Sequence, residues 1–161
     1  MLTGGKKSME ILNLEGDICV ETVLLSTILF KKKDMLRLGL LDENFLLYYV
    51  DFELCRRVLK NKKSIIQIFD AKVQHEHGKI KVKNILKKTF KRNYYFTFDE
   101  LYYFFKINKH NEIFNNLKKK LPNYIIKSII NLFLLRLTQS VYCFSKVAAF
   151  YKFNKLLNKN K

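Results

Sequence analysis

The chain has 161 residues, of which 48% are hydrophobic and 14% aromatic, and it carries a formal net charge of +17. This composition can bury a core and excludes a chain that is disordered throughout. Cys19, Cys55 and Cys143 are widely spaced and form no CxxC pair, which favours a reducing compartment over a disulfide framework or a zinc site. The opening MLTGGKKSME contains no apolar core, so no signal peptide is expected.

The charge is distributed very unevenly along the chain. Residues 1–57 hold eight Lys or Arg and nine Asp or Glu, whereas the remainder holds 23 basic and five acidic residues. A strongly basic second half predicts an anionic partner, either a membrane surface or a nucleic acid. The abundance of Lys, Asn, Ile, Phe and Tyr, as in proteins from AT-rich genomes, is a competing explanation of the same excess.

The first half of the chain alternates strand and helix patterns. Residues 18–30 are β-branched and apolar and predict one or two strands, and residues 31–39 predict a short helix that stops at a glycine. A second helix is predicted over 51–60, followed by two strands over 64–69 and 71–77. Alternation of this kind is typical of an α/β domain.

From residue 82 onward the sequence predicts mostly helix. Its most apolar stretch, residues 122–153, is interrupted by Lys127, Arg136 and Lys146, whereas a transmembrane helix needs roughly 20 consecutive apolar residues. A basic helix with abundant Leu, Phe and Tyr is more typical of one that lies in the membrane interface. The alternative is that this stretch packs against its own domain as a helical hairpin.

By themselves, the acids that precede the LCRR sequence fit an ordinary helix start. Asp51 can cap the helix, and Glu53 can favour its positive end and pair with either of the two arginines. His75 and His77 would share one face of a strand, but as a metal pair they lack two further ligands. The sequence contains no Gly-rich phosphate loop and no GxSxG or HExxH motif.

Residues 20–78 nevertheless resemble the acceptor-side half of family-2 glycosyltransferases, in particular the bacterial rhamnosyl- and galactofuranosyltransferase-like group. GLLDENFLLYY, residues 39–49, is similar to the family's G-G/L-x-D-E-x-F-F-x-Y. VDFELCRR, residues 50–57, is similar to its E/D-D-x-D/E-L/F-C/S-x-R. A histidine near a glycine then ends a strand pair, here His75 and Gly78. Each piece is short, and their order and spacing carry the resemblance.

The resemblance implies a fold and a set of roles. The fold is α/β, with the acceptor-side half of a GT-A nucleotide-sugar transferase domain over residues 1–78 and a basic α-helical region over 79–161. Asp51 matches the catalytic base, which takes the proton of the acceptor hydroxyl as that hydroxyl attacks the anomeric carbon with inversion. His75 matches a ligand of the divalent metal, Mn²⁺ or Mg²⁺, that holds the donor diphosphate. The side chains expected to bind substrate or shape the acceptor pocket are Asp42, Tyr48, Glu53 and Arg57.

Three features depart from the family pattern. Val50 stands where the family has the first acid of its pair, and Leu46 replaces the second phenylalanine. The D-x-D metal motif of the nucleotide-binding half is absent from the sequence. The chain is therefore expected to be the C-terminal part of a longer enzyme, through truncation, a split frame or a short assigned start, and to be inactive alone.

The resemblance also implies partners and a location. The partners are a nucleotide-sugar donor and a lipid-linked or oligosaccharide acceptor that belongs to a cell-surface glycan. KKTFKRNYYF, residues 87–96, is similar to a YYxxRN segment that in this group leads into helices at the membrane. Together with the basic charge, this predicts a cytoplasmic protein held peripherally on the anionic inner face of the cell membrane.

Two other interpretations remain open at the level of sequence. In the first, the chain is a non-enzymatic, basic helical protein that binds a membrane surface, and its acids only cap helices. In the second, the lysine-rich half binds nucleic acid. Against the second, the sequence contains no recognisable reading motif and its aromatic residues lie in apolar runs, so no nucleic-acid partner is expected.

Overall fold

The computed structural model describes residues 16–74 and 84–159, and 66% of these residues are helical. This part of the chain contains five α-helices, two very short strands and one 3-10 turn. In chain order they are β1 (Ile18–Cys19), the 3-10 turn (Leu25–Thr27), α1 (Lys32–Leu38), α2 (Val50–Lys60), β2 (Ile66–Gln67), α3 (Ile85–Lys106), α4 (His110–Phe133) and α5 (Leu137–Lys159).

The predicted α/β fold class, with half of a GT-A domain over residues 1–78, is wrong for the described residues. Their only sheet consists of β1 and β2, which pair antiparallel over two residues each. Residues 71–74 of the last predicted strand are not strand, and the rest of that strand lies outside the described residues. Strand propensity is realised only where further strands or a helix cover the apolar face. Here Ile66 and Ile68 stay exposed, so the pattern lacks the partners that would extend the sheet.

The two helices of the first half begin and end close to their predicted positions. α1 stops at Gly39, which has a φ of 87° and donates its N–H to the carbonyl oxygen of Leu36. Because a φ in this region strains any residue that carries a Cβ atom, glycine suits the end of the helix. The apolar spacing of α2 predicts Leu54, Val58 and Cys55 on its inner face; Leu54 and Cys55 are buried, and Val58 is half-buried.

The main hydrophobic core lies between α3, α4 and α5. Apolar and aromatic side chains recur three and four residues apart on these helices and therefore share one face. The loop before α2 adds Phe45, whose ring packs edge-on against the ring of Tyr102 with centroids 4.9 Å apart. Packing therefore crosses the domain boundary that was predicted at residue 78. The buried members of this core are Phe45, Phe98, Leu101, Tyr102, Leu121, Val147, Ala149, Phe150 and Phe153.

Ring contacts give the relative directions of the three long helices. Phe90 of α3 lies beside Phe144 of α5, with ring centroids 6.1 Å apart, and Phe98 lies beside Phe153 at 6.3 Å. Residue number thus increases in the same direction along α3 and α5. α4 connects them through short turns and runs the opposite way.

The apolar stretch at residues 122–153 is not one continuous helix. It covers the second half of α4, a turn at residues 134–136 and most of α5, and the two helices pack together as a hairpin. This arrangement is the predicted alternative to a helix that lies flat in the membrane interface. Within the described ranges, no helix is long and apolar enough to cross a membrane.

Truncation of Phe153 tests the core. Its side chain is 0% exposed, whereas Tyr151 on the same helix is 59% exposed. Phe153→Ala is expected to lower the free energy of unfolding by about 3–5 kcal/mol, because it removes buried apolar surface and leaves a cavity. Tyr151→Ala is the matched control and should stay within about 0.5 kcal/mol of the wild type. Urea denaturation followed by circular dichroism measures both, and equal losses would contradict the packing.

Candidate functional site

A carboxylate of α3 holds the loop that precedes α2. Asp99 is fully buried; its Oδ1 accepts the N–H of Leu46 at 2.8 Å, and its Oδ2 accepts those of Leu47 and Tyr48 at 2.8 and 2.7 Å. Burial raises the pKa of the Asp99 carboxyl, and the three N–H groups oppose that rise. Successive N–H groups that converge in this way form a concave anion site, which this carboxylate fills. The loop is thereby fixed to α3 immediately before α2 begins.

Tyr49 turns the chain from this loop into α2. It is the N-cap residue of the helix, and its φ of 61° lies in the left-handed region, which costs a residue other than glycine of order 1–3 kcal/mol. Its ring contacts the rings of Phe96 and Tyr103, with centroids 5.6 and 5.4 Å away. Its hydroxyl donates to Glu100 Oε1 at 3.2 Å. These contacts with α3 hold the strained turn and fix the start of the helix.

The C-terminal residue of α3 binds two of the predicted site acids. Lys106 Nζ lies 2.7 Å from Asp42 Oδ2 and 2.8 Å from Glu53 Oε1. Burial opposes the ionised form of Asp42, but hydrogen bonds from Lys106, Asn44 and Tyr102 outweigh it and lower the pKa of Asp42 to about 2. Partial burial in turn lowers the pKa of Lys106, but the two carboxylates raise it above its ordinary value.

Arg57 links α2 to the end of α1. Its Nε and Nη2 each lie 2.9 Å from Glu53 Oε2, one helical turn earlier, and its guanidinium also donates to the carbonyl oxygens of Leu38 and Leu40. Glu53 is buried, and each of its two oxygens contacts a cation, Arg57 on one side and Lys106 on the other. Glu53 and Arg57, two of the residues expected to shape the acceptor pocket, thus hold α1, α2 and α3 together.

Asp51 differs from the other site acids in its contacts. It is half-buried in the first turn of α2, and its Oδ1 accepts the N–H of the adjacent Phe52 at 3.2 Å. The N-cap of the helix is Tyr49, so α2 does not use Asp51 in the predicted capping position. Among the described residues Asp51 takes part in no ion pair, whereas Asp42 and Glu53 both do. It is a carboxylate at the positive end of a helix, and that end favours negative charge.

Tyr48 and His75 complete the set of predicted site residues. The ring of Tyr48 lies edge-on to the ring of Phe96, with centroids 5.4 Å apart, beside the start of α2. His75, the predicted metal ligand, lies outside the described residues. Asp42, Glu53 and Arg57 therefore belong to one ion-pair network with Lys106, whereas Tyr48 contacts α3 ten residues earlier, at Phe96; the position of the histidine relative to them is not described.

The described side chains do not by themselves fit a centre for Mn²⁺ or Mg²⁺. Both ions prefer several oxygen ligands, and carboxylates are the usual protein donors. Lys106 occupies Asp42 and Glu53, so of the three acids predicted for the site Asp51 is the one without a cation partner in the described ranges. In those ranges no group of three or more His, Cys, Asp or Glu side chains could hold a metal ion.

The sequence does not identify the α3 side chains that organise the site. Asp99 and Glu100 are the only acids of α3, and they stand inside the aromatic run FTFDELYYFF. Because a charge among apolar residues is buried only when hydrogen bonds or an opposite charge accompany it, this position predicts a specific partner. Which partner it is does not follow from the sequence, since the N–H groups that bind Asp99 come from more than 50 residues earlier in the chain.

No protein-family model matches the chain, and comparisons with curated proteins and with solved structures find no match. The resemblance of residues 20–78 to family-2 glycosyltransferases therefore depends on their sequence motifs. The structure adds to those motifs only the contacts that their residues make around α2 and α3.

The Asp99 contact can be tested by an isosteric change. Asp99→Asn keeps one carbonyl oxygen but places an NH₂ group against a backbone N–H, so it should lower the free energy of unfolding by about 1–3 kcal/mol. Glu100→Gln is the matched control, because its amide oxygen can still accept the hydroxyl of Tyr49, and its loss should be under about 1 kcal/mol. Chemical denaturation compares them, and a silent Asp99→Asn would contradict the three-bond contact.

Lys106 is expected to control the titration of Asp42. Since the pKa of Asp42 is lowered from 3.8 to about 2, its contribution to stability is complete above about pH 4 and is lost as the pH falls toward 2. Lys106→Met removes the cation, so the pKa of Asp42 should rise and the acid loss of stability should lessen. Carboxyl NMR titration measures this pKa. Lys63→Met, which breaks the exposed pair with Asp34, is the control and should leave the Asp42 titration unchanged.

Proposed function

We propose that the chain is the acceptor-side part of an inverting glycosyltransferase, in which Asp51 is the general base for the acceptor hydroxyl. The observation that carries the proposal is the difference in ion pairing among the three acids predicted for the site. Asp42 and Glu53 are bound by Lys106, whereas Asp51 has no cation partner among the described residues and only its Oδ1 accepts a hydrogen bond there. A base of this kind needs a carboxylate oxygen that is free to accept a proton from substrate.

The surroundings of Asp51 suit that chemistry. Asp51 lies in the first turn of α2, where the helix N-terminus favours negative charge. Lys106 contacts one carboxylate oxygen of Asp42 and one of Glu53, so these oxygens are already bound to a cation. Tight contacts of the preceding loop with Asp99 and Tyr49 limit the positions that Asp51 can take, and accurate placement is a large part of catalysis.

An aromatic pair, one ring of which immediately precedes the first turn of α2, supports a sugar acceptor. The rings of Tyr48 and Phe96 pack edge-to-face next to the start of α2, and Phe96 is exposed. Aromatic rings of this kind present apolar area together with a polar edge, which matches the mixed faces of a sugar ring. The acceptor in the proposal is an oligosaccharide or a lipid-linked glycan of the cell surface.

Donor binding is assigned to a separate nucleotide-binding part. The nucleotide-sugar and its divalent metal need carboxylates of a D-x-D motif, which this sequence does not contain. The described residues do not build such a centre, so the role proposed for them is limited to the acceptor side. The chain alone is accordingly proposed to be inactive, and activity requires the D-x-D-bearing part.

The proposal is tested by Asp51→Asn in the chain combined with a D-x-D-bearing nucleotide-binding half. Sugar transfer is expected to fall about 10²–10⁴-fold, because the amide keeps the shape of the side chain but cannot accept the proton. Donor binding should be nearly unchanged, since Asp51 acts on the acceptor. Radiolabelled sugar transfer and donor titration measure the two quantities separately.

Two controls accompany this variant. Asp34→Asn changes an exposed acid of α1 that pairs with Lys63, and it should keep full transfer activity. Asp51→Glu keeps a carboxylate at a shifted position and should retain more activity than Asp51→Asn. Full transfer by Asp51→Asn would show that another group is the base.

A further inference from the structure

The turn between α4 and α5 and the adjoining helix ends expose many large apolar side chains. Phe133 is 82% exposed and Leu135 is 83% exposed, and their neighbours on both helices are also exposed. An exposed patch of this extent at one end of a helical hairpin indicates a surface that is covered in use. We call it the apolar tip, and its members are Ile125, Ile126, Ile129, Ile130, Leu132, Phe133, Leu134, Leu135 and Leu137.

Three successive amides in the turn of the apolar tip are bonded within the hairpin. Leu134 N–H donates to the carbonyl oxygen of Ile130, Leu135 N–H to that of Leu132, and Arg136 N–H to that of Asn131. The last two are the paired bonds that close a helix end at a residue in the left-handed conformation. A turn whose amides are bonded in this way can leave water at little cost, whereas unbonded amides cannot enter an apolar phase.

The hydroxyls of two serines near the apolar tip are also hydrogen-bonded within the hairpin. The hydroxyl of Ser140 donates to the carbonyl oxygen of Ser128 at 2.8 Å, and the hydroxyl of Ser128 donates to the carbonyl oxygen of Ser140 at 3.1 Å. Small side chains let the two helices approach closely here, as they do in helix pairs within membranes. The two serine hydroxyls thus bond across the helix pair close to the apolar tip.

Leu135 has a conformation that does not suit a leucine. Its φ of 55° places it in the left-handed region, where glycine or asparagine usually ends a helix. Its side chain is almost fully exposed and so contributes little packing to the folded chain in water. Folding alone would be served as well or better by glycine at this position, so this side chain can be removed without loss of the fold.

The charge around the apolar tip identifies the chemistry of its partner. Residues 121–145, which contain the tip and the adjoining turns of both helices, include two basic residues, Lys127 and Arg136, and no Asp or Glu. Lys127 and Arg136 are exposed within the tip itself. In a protein interface such charges would be buried at a cost, whereas at a bilayer their long side chains reach the phosphates while the apolar residues enter below them. Basic residues near an anionic leaflet each add to binding.

We propose that the apolar tip inserts end-on into the interface of an anionic lipid membrane. From Ile125 to Phe133, α4 rises about 12 Å at 1.5 Å per residue, which matches the shallow depth of interfacial insertion and is far less than a hydrocarbon core of about 30 Å. α5 cannot lie flat on the membrane by its other face, since Ala149 and Phe153 are buried in the bundle. This inference does not depend on the proposed role of Asp51.

Leu135→Gly gives a test in which fold and membrane binding change in opposite directions. Glycine relieves the left-handed strain, so the melting temperature should stay the same or rise. The lost side chain should weaken binding of the full chain to phosphatidylserine–phosphatidylcholine vesicles by about tenfold. Co-sedimentation with vesicles measures the affinity, and thermal denaturation measures the fold. A variant that binds as tightly as the wild type would overturn the proposal.

Further variants and conditions separate insertion from other causes. Phe133→Ser together with Leu135→Gly should abolish most binding, whereas Leu29→Ser, at a residue 97% exposed elsewhere on the chain, should leave binding unchanged. Pure phosphatidylcholine vesicles should bind the wild type less tightly than anionic vesicles. If the wild type and the double variant bind equally and high salt removes both, charge alone drives binding and insertion is refuted. The wild type and the double variant are also compared by sedimentation velocity. If the wild type forms a dimer that the double variant does not form, and both bind vesicles equally, the tip contacts a second copy of the chain and the membrane proposal is refuted.

Discussion

One buried carboxylate, that of Asp99, joins the loop of residues 46–48 to the helical bundle, and the geometry of the candidate site depends on it. An ionisable group removed from water is costly unless hydrogen bonds replace its hydration. Three successive N–H groups supply those bonds, and the loop in turn takes one shape instead of many. Because the loop leads directly through Tyr49 into α2, the same contact sets where Asp51 stands relative to α3.

Lys106 attaches the loop before α2 to α3 a second time, at Asp42. It also distinguishes the acids that pair with a cation from those that do not. Its ion pairs with Asp42 and Glu53 neutralise charge that would otherwise accumulate beside α2. Glu53 also holds Arg57, so the network extends to the end of α1. Of the three acids predicted for the site, Asp51 is the one that has no cation partner in the described ranges. The helices of the basic second half thus take part in building the acidic site.

The sequence predicts the structure where one residue or a short spacing decides it. Gly39 ends α1, and the spacing of four residues between Glu53 and Arg57 places them in the ion pair that the structure contains. The strands were overpredicted because a β-branched run needs neighbouring strands, and only two residues of each find one. For the site, the motifs single out Asp51 through resemblance, but its environment comes from Asp99, whose bonds join distant parts of the chain. Local periodicity carries no information about such a contact.

The directions of the helices connect the apolar tip with the candidate site. α3 and α5 run the same way, and Phe153 of α5 lies level with Phe98 of α3, next to Asp99. From Leu137 at the tip to Phe153 the helix rises about 24 Å at 1.5 Å per residue. About half of that rise belongs to the inserted tip, which spans about 12 Å from Ile125 to Phe133, so Asp99 and the loop it holds would stand about 12 Å above the upper edge of the tip. With the tip in the membrane interface, the residues around Asp99 would therefore lie close to the membrane surface, and the two features would belong to one bundle with a single orientation on the membrane.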